Sequence, residues 1–308
     1  MTQRTVIAVT GGLGYVGKFI VRALEEAGFD VVIGARAPAQ WEGGNAVRAF
    51  LLAPDSDYDQ FLGSCDGLVH AAFDHIPGRY RGGEGDDPAA FWSKNVDESL
   101  RLFETAKRKG VGRVVFLSSR AVYGTQAPGV ALVETGAAEP DTLYGEAKLA
   151  VETALIGLGN KDFKPVSFRV TGVYGAARQA GAHKWLALFE DYISGAPISP
   201  RAATEVHGGD VAAAVVWALQ APAPRYALYN VSDVVLDRRQ VLAPLKARAG
   251  SPQPLPVAGD AADLNIMNCD RLRAEGWTPG GAALFHQEIE MLVASYMNSY
   301  ANHLPSDK

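Results

Sequence analysis

The chain has 308 residues, of which 48% are hydrophobic and 20% are charged. This composition is typical of a globular protein with one large domain or two ordinary ones, and it excludes wholesale disorder. The net charge of −5 argues against a nucleic-acid partner, because proteins that bind nucleic acids usually carry a basic surface.

Targeting and redox signals predict a cytoplasmic protein with no membrane partner. The first apolar run, residues 6–10, is too short for a signal peptide, and no stretch approaches the ~20 apolar residues of a membrane span. The two cysteines, Cys65 and Cys269, predict no disulfide framework, and the six histidines do not stand at metal-ligand spacing. We therefore expect no metal.

A glycine-rich turn follows the first predicted strand, residues 6–10, and opens a helix that Gly28 ends. The turn reads TGGLGYVG over residues 10–17. In a dinucleotide-binding fold Gly11 permits the tight turn, Gly14 lets the backbone approach a pyrophosphate, and Gly17 lets the helix pack closely on the strand. The phosphates meet the helix N-terminus. We expect Tyr15 and Val16 to contact the cofactor as well; the alternative is a glycine-rich turn without a ligand.

The second predicted strand, residues 30–34, ends in Gly34, Ala35 and Arg36. Proteins that bind NAD usually place an acidic residue here, where it accepts hydrogen bonds from the ribose hydroxyls. Arg36 suits a 2′-phosphate instead, by its charge and its fork of donors. The sequence therefore favours NADP over NAD, the alternative being a solvated arginine with NAD bound regardless.

A third buried strand, residues 67–72, leads into a loop over residues 76–88 and an amphipathic helix over residues 95–109. The loop region contains His75, Arg79 and Arg81, which we expect beside the substrate, where the arginines and Arg120 would meet an anionic group. The alternative is a solvated loop.

Chemistry-bearing side chains follow the strand at residues 113–118. Ser119 stands at its carboxyl end, where parallel sheets bind ligands. Tyr144 and Lys148 lie on one face of the predicted helix 144–158, because residues four apart are neighbours on a helix. A nearby ammonium lowers the pKa of a phenol, and Tyr144 would then exchange a proton with an alcohol or carbonyl. Ser119 would hydrogen-bond the same substrate oxygen.

A further strand at residues 166–170 completes a βαβ alternation that decays after residue 175, where prolines become frequent. The alternation predicts an α/β fold with a doubly wound parallel sheet, a Rossmann fold, and a smaller C-terminal substrate-binding cap. We assign residues 1–175 and a returning segment, about 206–232, to the dinucleotide-binding domain. The cap would comprise residues 176–205 and 233–308.

Taken in order, the motifs resemble those of an extended short-chain dehydrogenase/reductase of the NAD(P)-dependent epimerase/dehydratase family. The resemblance rests on TGGLGYVG (10–17), DGLVHAA (66–72), NV (95–96), SRAVYG (119–124), YGEAK (144–148), RVTGVYG (169–175), VHGGDV (206–211) and DRLRAEGWTP (270–279). It covers nearly the whole chain.

The resemblance implies roles at the matching positions. Tyr144 would be the acid/base, Lys148 would hold the nicotinamide ribose and tune Tyr144, and Ser119 would bind the reacting oxygen. Gly11, Gly14 and Gly17 would carry the pyrophosphate, Ala71 and Ala72 would line the cofactor, and Asn95 would lie near it. The resemblance also implies a homodimer that forms through helices 95–109 and 144–158.

Two departures from the family bear on the substrate. Dehydratases of the family carry an Asp-Glu pair after the catalytic Ser or Thr, whereas this chain has Arg120 and Ala121. Many members that act on nucleotide sugars hold the diphosphate with an Asn, and Gly172 occupies that position here. Both departures argue against a nucleotide sugar or its dehydration, and they leave Arg120, His75 and Gly172 as candidate substrate residues.

The sequence thus predicts an NAD(P)-dependent oxidoreductase, a dehydrogenase or reductase, that acts on a small hydroxyl or carbonyl compound by hydride transfer with help from Tyr144 and Lys148. One alternative is a sugar or nucleotide-sugar 4-epimerase, in which the cofactor is reduced only transiently. A further alternative is a non-catalytic sensor that binds NADP, although such relatives usually lose the Tyr or the Lys.

Overall fold

A computed structural model of the protein describes residues 4–37, 40–76, 83–176 and 183–303. Its strands are β1 (Val6–Thr10), β2 (Asp30–Ala35), β3 (Ala46–Ala49), β4 (Gly67–His70), β5 (Arg113–Ser119), β6 (Lys164–Val170), β7 (Gly172–Tyr174), β8 (Ala202–His207), β9 (Leu228–Val231) and β10 (Val234–Asp237). Its α-helices are α1 (Tyr15–Glu26), α2 (Tyr58–Leu62), α3 (Pro88–Trp92), α4 (Glu98–Arg108), α5 (Leu143–Gly157), α6 (Leu186–Ile193), α7 (Gly208–Gln220), α8 (Arg238–Ala249), α9 (Asp270–Ala274) and α10 (Gly281–His303).

The larger sheet has the strand order β3-β2-β1-β4-β5-β6-β9 within the described part of the chain, and its neighbouring strands are parallel. The strands β1, β4 and β5 are almost wholly buried, which explains their continuous apolar sequences. The chain reverses its direction of winding between β1 and β4, and ligands bind at such a switch point in doubly wound folds. The prediction of a Rossmann fold is confirmed.

Helices cover both faces of this sheet. On one face α1 packs against α7, in a core that includes Ile20, Leu24 and Val215. On the other face α2, α4 and α5 share a second core, which includes Phe103 and Leu155. The helices leave the carboxyl ends of β1, β2, β4 and β5 open, where the sequence places the glycine turn, Arg36 and Ser119.

A smaller sheet, with the order β10-β8-β7, lies beyond the carboxyl end of β6. It packs with α6, α8 and α10 around a third core that includes Tyr174, Phe189 and Ile289. Between its strands, α7 and β9 return to the larger sheet. The predicted division puts residues 172–174 with the larger domain, whereas β7 pairs with β8 of the smaller sheet.

Several elements differ from their predicted bounds. The helix expected over residues 95–109 begins with a π-helical turn, Ser93–Asp97, and continues as α4. The strand expected at residues 67–72 ends at His70, because Ala71 and Ala72 turn toward the glycine-rich loop. Sequence periodicity also misses β3 and α2, which have four and five residues and are too short to show a repeat.

Candidate active site

The glycine turn follows β1 and packs against the segment that follows β4. Gly11 has a φ of +68°, and a Cβ at this position would lie 2.9 Å from the Ala72 Cα. A Cβ at Gly17 would lie 2.1 Å from the Gly11 carbonyl oxygen. Both positions therefore require glycine, one for the left-handed turn and one for the close approach of α1.

The N-terminus of α1 is suited to an anion. Its N-cap is Gly14, which has no side chain to cap the helix, and the N–H groups of a first helical turn are the groups that bind anions in such folds. Tyr15 and Val16 follow and line the same cleft. The Tyr15 hydroxyl donates to the Gly175 carbonyl at 2.6 Å, which ties the start of α1 to the end of β7.

One continuous cleft of about 1830 Å³ runs from this turn to the smaller sheet. It brings together most of the residues that the sequence singled out, and its walls include Gly11, Gly14, Tyr15, Val16, Gly17, Arg36, Ala71, Ala72, His75, Ser119, Arg120, Tyr144, Lys148 and Gly172. Arg79 and Arg81 lie outside the described residues.

Asn95 stands behind the wall of the cleft. It is fully buried, accepts a hydrogen bond from the Asp74 N–H at 2.7 Å, and donates to the carbonyls of Asp74 and Phe91. These bonds hold the segment that follows β4, so any effect of Asn95 on a cofactor passes through the backbone of that segment.

Arg36 lies at the end of β2 and is exposed to the cleft. Within the described residues, its guanidinium has no hydrogen bond or ion pair. Beside it the cleft is lined by Phe50, Leu51 and Leu52. This end of the cleft therefore combines a flat apolar wall with an available cation.

Tyr144 and Lys148 come from the first two turns of α5, which Thr142 caps by accepting a hydrogen bond from the Gly145 N–H at 3.1 Å. The Lys148 ammonium lies 5.9 Å from the centre of the Tyr144 ring. It is buried and donates to the Leu117 carbonyl at 2.8 Å. Burial lowers the pKa of Lys148 to about 7, because a low-dielectric environment disfavours the charged form.

Ser119 ends β5 and lies on the wall of the cleft. Its Oγ accepts a hydrogen bond from the Ala121 N–H at 3.1 Å, as a cap of the short 3-10 helix Arg120–Tyr123. A hydroxyl that accepts one bond keeps its own hydrogen for donation, so Ser119 can still donate to a substrate oxygen.

The other predicted substrate residues lie around this centre. The Arg120 guanidinium donates a hydrogen bond to the Asn265 carbonyl at 3.1 Å, so one of its nitrogens already holds a backbone group of the protein. The His75 ring centre lies 6.4 Å from that of Tyr144, and burial lowers the pKa of His75 below its ordinary value. Burial therefore favours the neutral form of His75.

An ion pair that the sequence analysis missed fills the space beside Gly172. Lys184 donates to Glu205 on β8 at 2.6 Å, and a Cβ at Gly172 would lie 2.5 Å from a Glu205 carboxylate oxygen. Both charged side chains line the cleft. No local pattern could have revealed the pair, because its members are 21 residues apart in the chain. Pairing of β7 with β8 places Glu205 beside Gly172.

The described residues contain no group of three or more His, Cys, Asp or Glu side chains that could hold a metal ion. Within the same part of the chain, no helix is sufficiently long and apolar to cross a membrane.

Comparison with known proteins agrees with this geometry. A model of the NAD dependent epimerase/dehydratase family matches residues 7–232. The chain belongs to this family. The resemblance in its motifs is thereby confirmed, and this family member is an NAD(P)-dependent enzyme of the extended short-chain dehydrogenase type.

Its relatives include two bacterial UDP-glucose 4-epimerases. The enzyme of Streptomyces lividans is 36% identical over 160 residues, which span 48% of this chain and about half of that protein (46%). The enzyme of Corynebacterium glutamicum is 28% identical, in a match that spans 89% of this chain and 90% of that protein.

A solved structure of similar fold is the UDP-glucose 4-epimerase of Thermus thermophilus in complex with NAD. It has a TM-score of 0.77 and 26% identity, and the match covers 96% of this family member and all of that chain.

Proposed function

We propose that this chain is an NADP-dependent dehydrogenase or reductase of a small hydroxyl or carbonyl compound. The observation that carries the proposal is the shared cleft, in which Ser119, Tyr144 and Lys148 stand beside the glycine turn. The turn has the tight packing of a dinucleotide-binding loop, because a Cβ at Gly11 would meet Ala72 and a Cβ at Gly17 would meet the Gly11 carbonyl. A bound nicotinamide would supply or accept a hydride at the substrate carbon.

Ser119 and Tyr144 would position the substrate oxygen and transfer the proton. In reduction the Ser119 hydroxyl would hold the carbonyl oxygen of the substrate, and the Tyr144 hydroxyl would donate its proton to that oxygen as negative charge develops there. In oxidation the Tyr144 phenolate would take the proton back. A positive charge on Lys148 favours the phenolate, because an opposite charge nearby stabilises the ionised form.

Arg36 supports NADP as the cofactor of this chain. Its guanidinium is exposed to the cleft without a partner among the described residues, and the preceding residue, Ala35, offers no carboxylate for a ribose hydroxyl. Arginine binds phosphate by charge and by paired hydrogen bonds. The similar Thermus enzyme is in complex with NAD. The proposed preference of this chain for NADP over NAD therefore rests only on the contact of Arg36 with the 2′-phosphate.

The Lys184–Glu205 pair supports a small substrate without a diphosphate. The pair occupies the space beside Gly172, and the Glu205 carboxylate is buried there. A diphosphate at this point would meet a buried negative charge whose lysine is already engaged, and juxtaposed like charges disfavour binding. A neutral hydroxyl compound meets no such repulsion.

A second candidate is a UDP-sugar 4-epimerase, which the relatives in Streptomyces and Corynebacterium favour. An epimerase would use the same Tyr144 but return the hydride within one turnover. The two candidates therefore differ in net consumption of the reduced cofactor.

Incubation of the purified chain with NADPH and a panel of short aldehydes and ketones tests the proposal, and a parallel incubation with NAD⁺ and UDP-glucose tests the second candidate. The proposal expects stoichiometric loss of NADPH absorbance with at least one carbonyl compound. Conversion of UDP-glucose to UDP-galactose in the presence of NAD⁺, with no net formation of NADH and no loss of NADPH with any carbonyl compound, would instead establish the epimerase.

The proposal includes a homodimer that forms through α4 and α5, which pack against each other in one chain. Light scattering should then give twice the 32.7 kDa of a single chain, and a monomeric mass would contradict it. A cytoplasmic location is also proposed, since Cys65 and Cys269 are buried as free thiols, as a reducing compartment allows.

A further inference from the structure

The Lys148 ammonium is buried, and the part of the chain that the structure describes places no counter-ion against it. Its side chain is 4% exposed, and it donates one hydrogen bond, to the Leu117 carbonyl. Among the residues that the structure describes, no carboxylate forms an ion pair with it. A buried charge without compensation is costly, so other groups must stabilise the protonated form that the proposed chemistry needs.

Aromatic rings surround this ammonium. The Lys148 Nζ lies 4.2 Å from the centre of the Phe73 ring and 4.8 Å from that of Phe116. Both distances are within the ~6 Å at which a ring face attracts a cation. The Phe73 ring also packs edge-on against Tyr144, with 5.1 Å between ring centres. Phe73 therefore contacts both members of the Tyr–Lys pair.

We propose that Phe73 is a positioning residue that keeps Lys148 protonated and holds it beneath Tyr144. This inference rests on the proposed function only for its catalytic consequence. Phe73 lines the cleft, whereas Phe116 is buried in the core against His70 and Phe103. Phe73 is therefore the ring that can be replaced without opening the core.

The titratable neighbours of Lys148 that the structure describes do not supply a compensating negative charge. Burial lowers the pKa of His70 on β4 to about 3 and also lowers the pKa of His75, so burial favours the neutral form of both rings. The Asp74 carboxylate pairs with Lys94 at 2.9 Å. On α5 the centre of the Tyr144 ring lies 5.9 Å from the ammonium, and the Glu152 carboxylate is paired with Arg169 at 2.6 Å. The protonated form of Lys148 is therefore stabilised by the Leu117 carbonyl and by the rings of Phe73 and Phe116.

Titration of lysines labelled with ¹³C at Cε, followed by NMR, tests the proposal directly. Loss of one signal in Lys148→Arg assigns the resonance. We expect Phe73→Leu and Phe73→Met each to lower the pKa of Lys148 by about 0.5–1.5 pH units, and Phe73→Tyr to keep it near the wild-type value. Phe91→Leu is the matched control, because Phe91 packs on Phe73 at 5.6 Å and should leave the pKa unchanged.

The same variants distinguish this inference from the proposed function. Where the wild type consumes NADPH, the pH at which its rate falls as Lys148 loses its proton should move down in Phe73→Leu and return in Phe73→Tyr. An unchanged pKa of Lys148 in both non-aromatic variants, or an equal shift in Phe91→Leu, overturns the role of Phe73. Normal turnover in Tyr144→Phe overturns the proposed function instead, and the NMR titration then decides on Phe73 alone.

Discussion

At the scale of single residues, the burial of Lys148 as a cation lowers the free energy of unfolding of the protein. Its folded-state pKa is about 7, whereas a lysine in an unfolded chain titrates near ~10.4. The unfolded state therefore binds more protons between these two values, and this group makes the free energy of unfolding rise with pH across that window. Below about pH 7 the full cost of burying the charge is present.

Lys148→Met should consequently raise the melting temperature more at pH 6 than at pH 9, measured by calorimetry without cofactor. Lys161→Met is the control, since Lys161 is 90% exposed and should change the melting temperature equally at both values. A gain at pH 9 that equals or exceeds the gain at pH 6 would show that Lys148 is not buried as a charged group.

Arg36 should discriminate between the two nicotinamide cofactors. Arg36→Ala should weaken NADPH binding by roughly tenfold or more, since a hydrogen bond to a charged group contributes ~1.5–3 kcal/mol, while NADH binding should change little. Quenching of tryptophan fluorescence measures both affinities. Arg4→Ala is the control at the opposite end of the sheet, where Arg4 pairs with Asp30. Equal losses for NADPH and NADH would refute the assignment.

At the scale of elements, the glycine turn connects sequence to site most directly. Gly17→Ala should destabilise the fold by ~1–3 kcal/mol and weaken NADPH binding, because the new methyl group would overlap the Gly11 carbonyl. Gly157→Ala in α5 is the matched control, since a Cβ there meets nothing within 4 Å and alanine is the better helix former. Urea unfolding should separate the two variants, and equal stability would contradict the packing role of Gly17.

The strands and helices also show how much of the structure the sequence could predict. The strands β1, β5 and β6 carry continuous apolar runs, and α1 follows a glycine pattern with a known backbone role, so these elements and their site residues were predictable. The exposed edge strand β3 and the short helix α2 are too short to show a repeating pattern of apolar residues. Lys184, Glu205 and Phe73 escaped prediction because folding, and not spacing along the chain, brings each beside its partner.

At the scale of the whole molecule, two sheets face one cleft. The larger sheet supplies the glycine turn, Arg36 and Ser119, and the smaller one supplies Glu205 beside Gly172. The proposed cofactor side thus follows rules shared by many doubly wound folds, while the proposed substrate side is lined by the Lys184–Glu205 pair, which folding brings together. Family membership accordingly predicts the cofactor class better than the substrate.

The central claim is that Tyr144 exchanges the proton during hydride transfer, and the turnover of Tyr144→Phe tests it most directly. The substitution keeps the ring that packs on Phe73 but removes the hydroxyl. The rate of NADPH oxidation with a carbonyl compound that the wild type accepts should fall by roughly 10²–10⁴, while NADPH affinity, measured by fluorescence on the same samples, stays the same. A Tyr144→Phe enzyme that binds NADPH normally and turns over at near the wild-type rate would contradict the account.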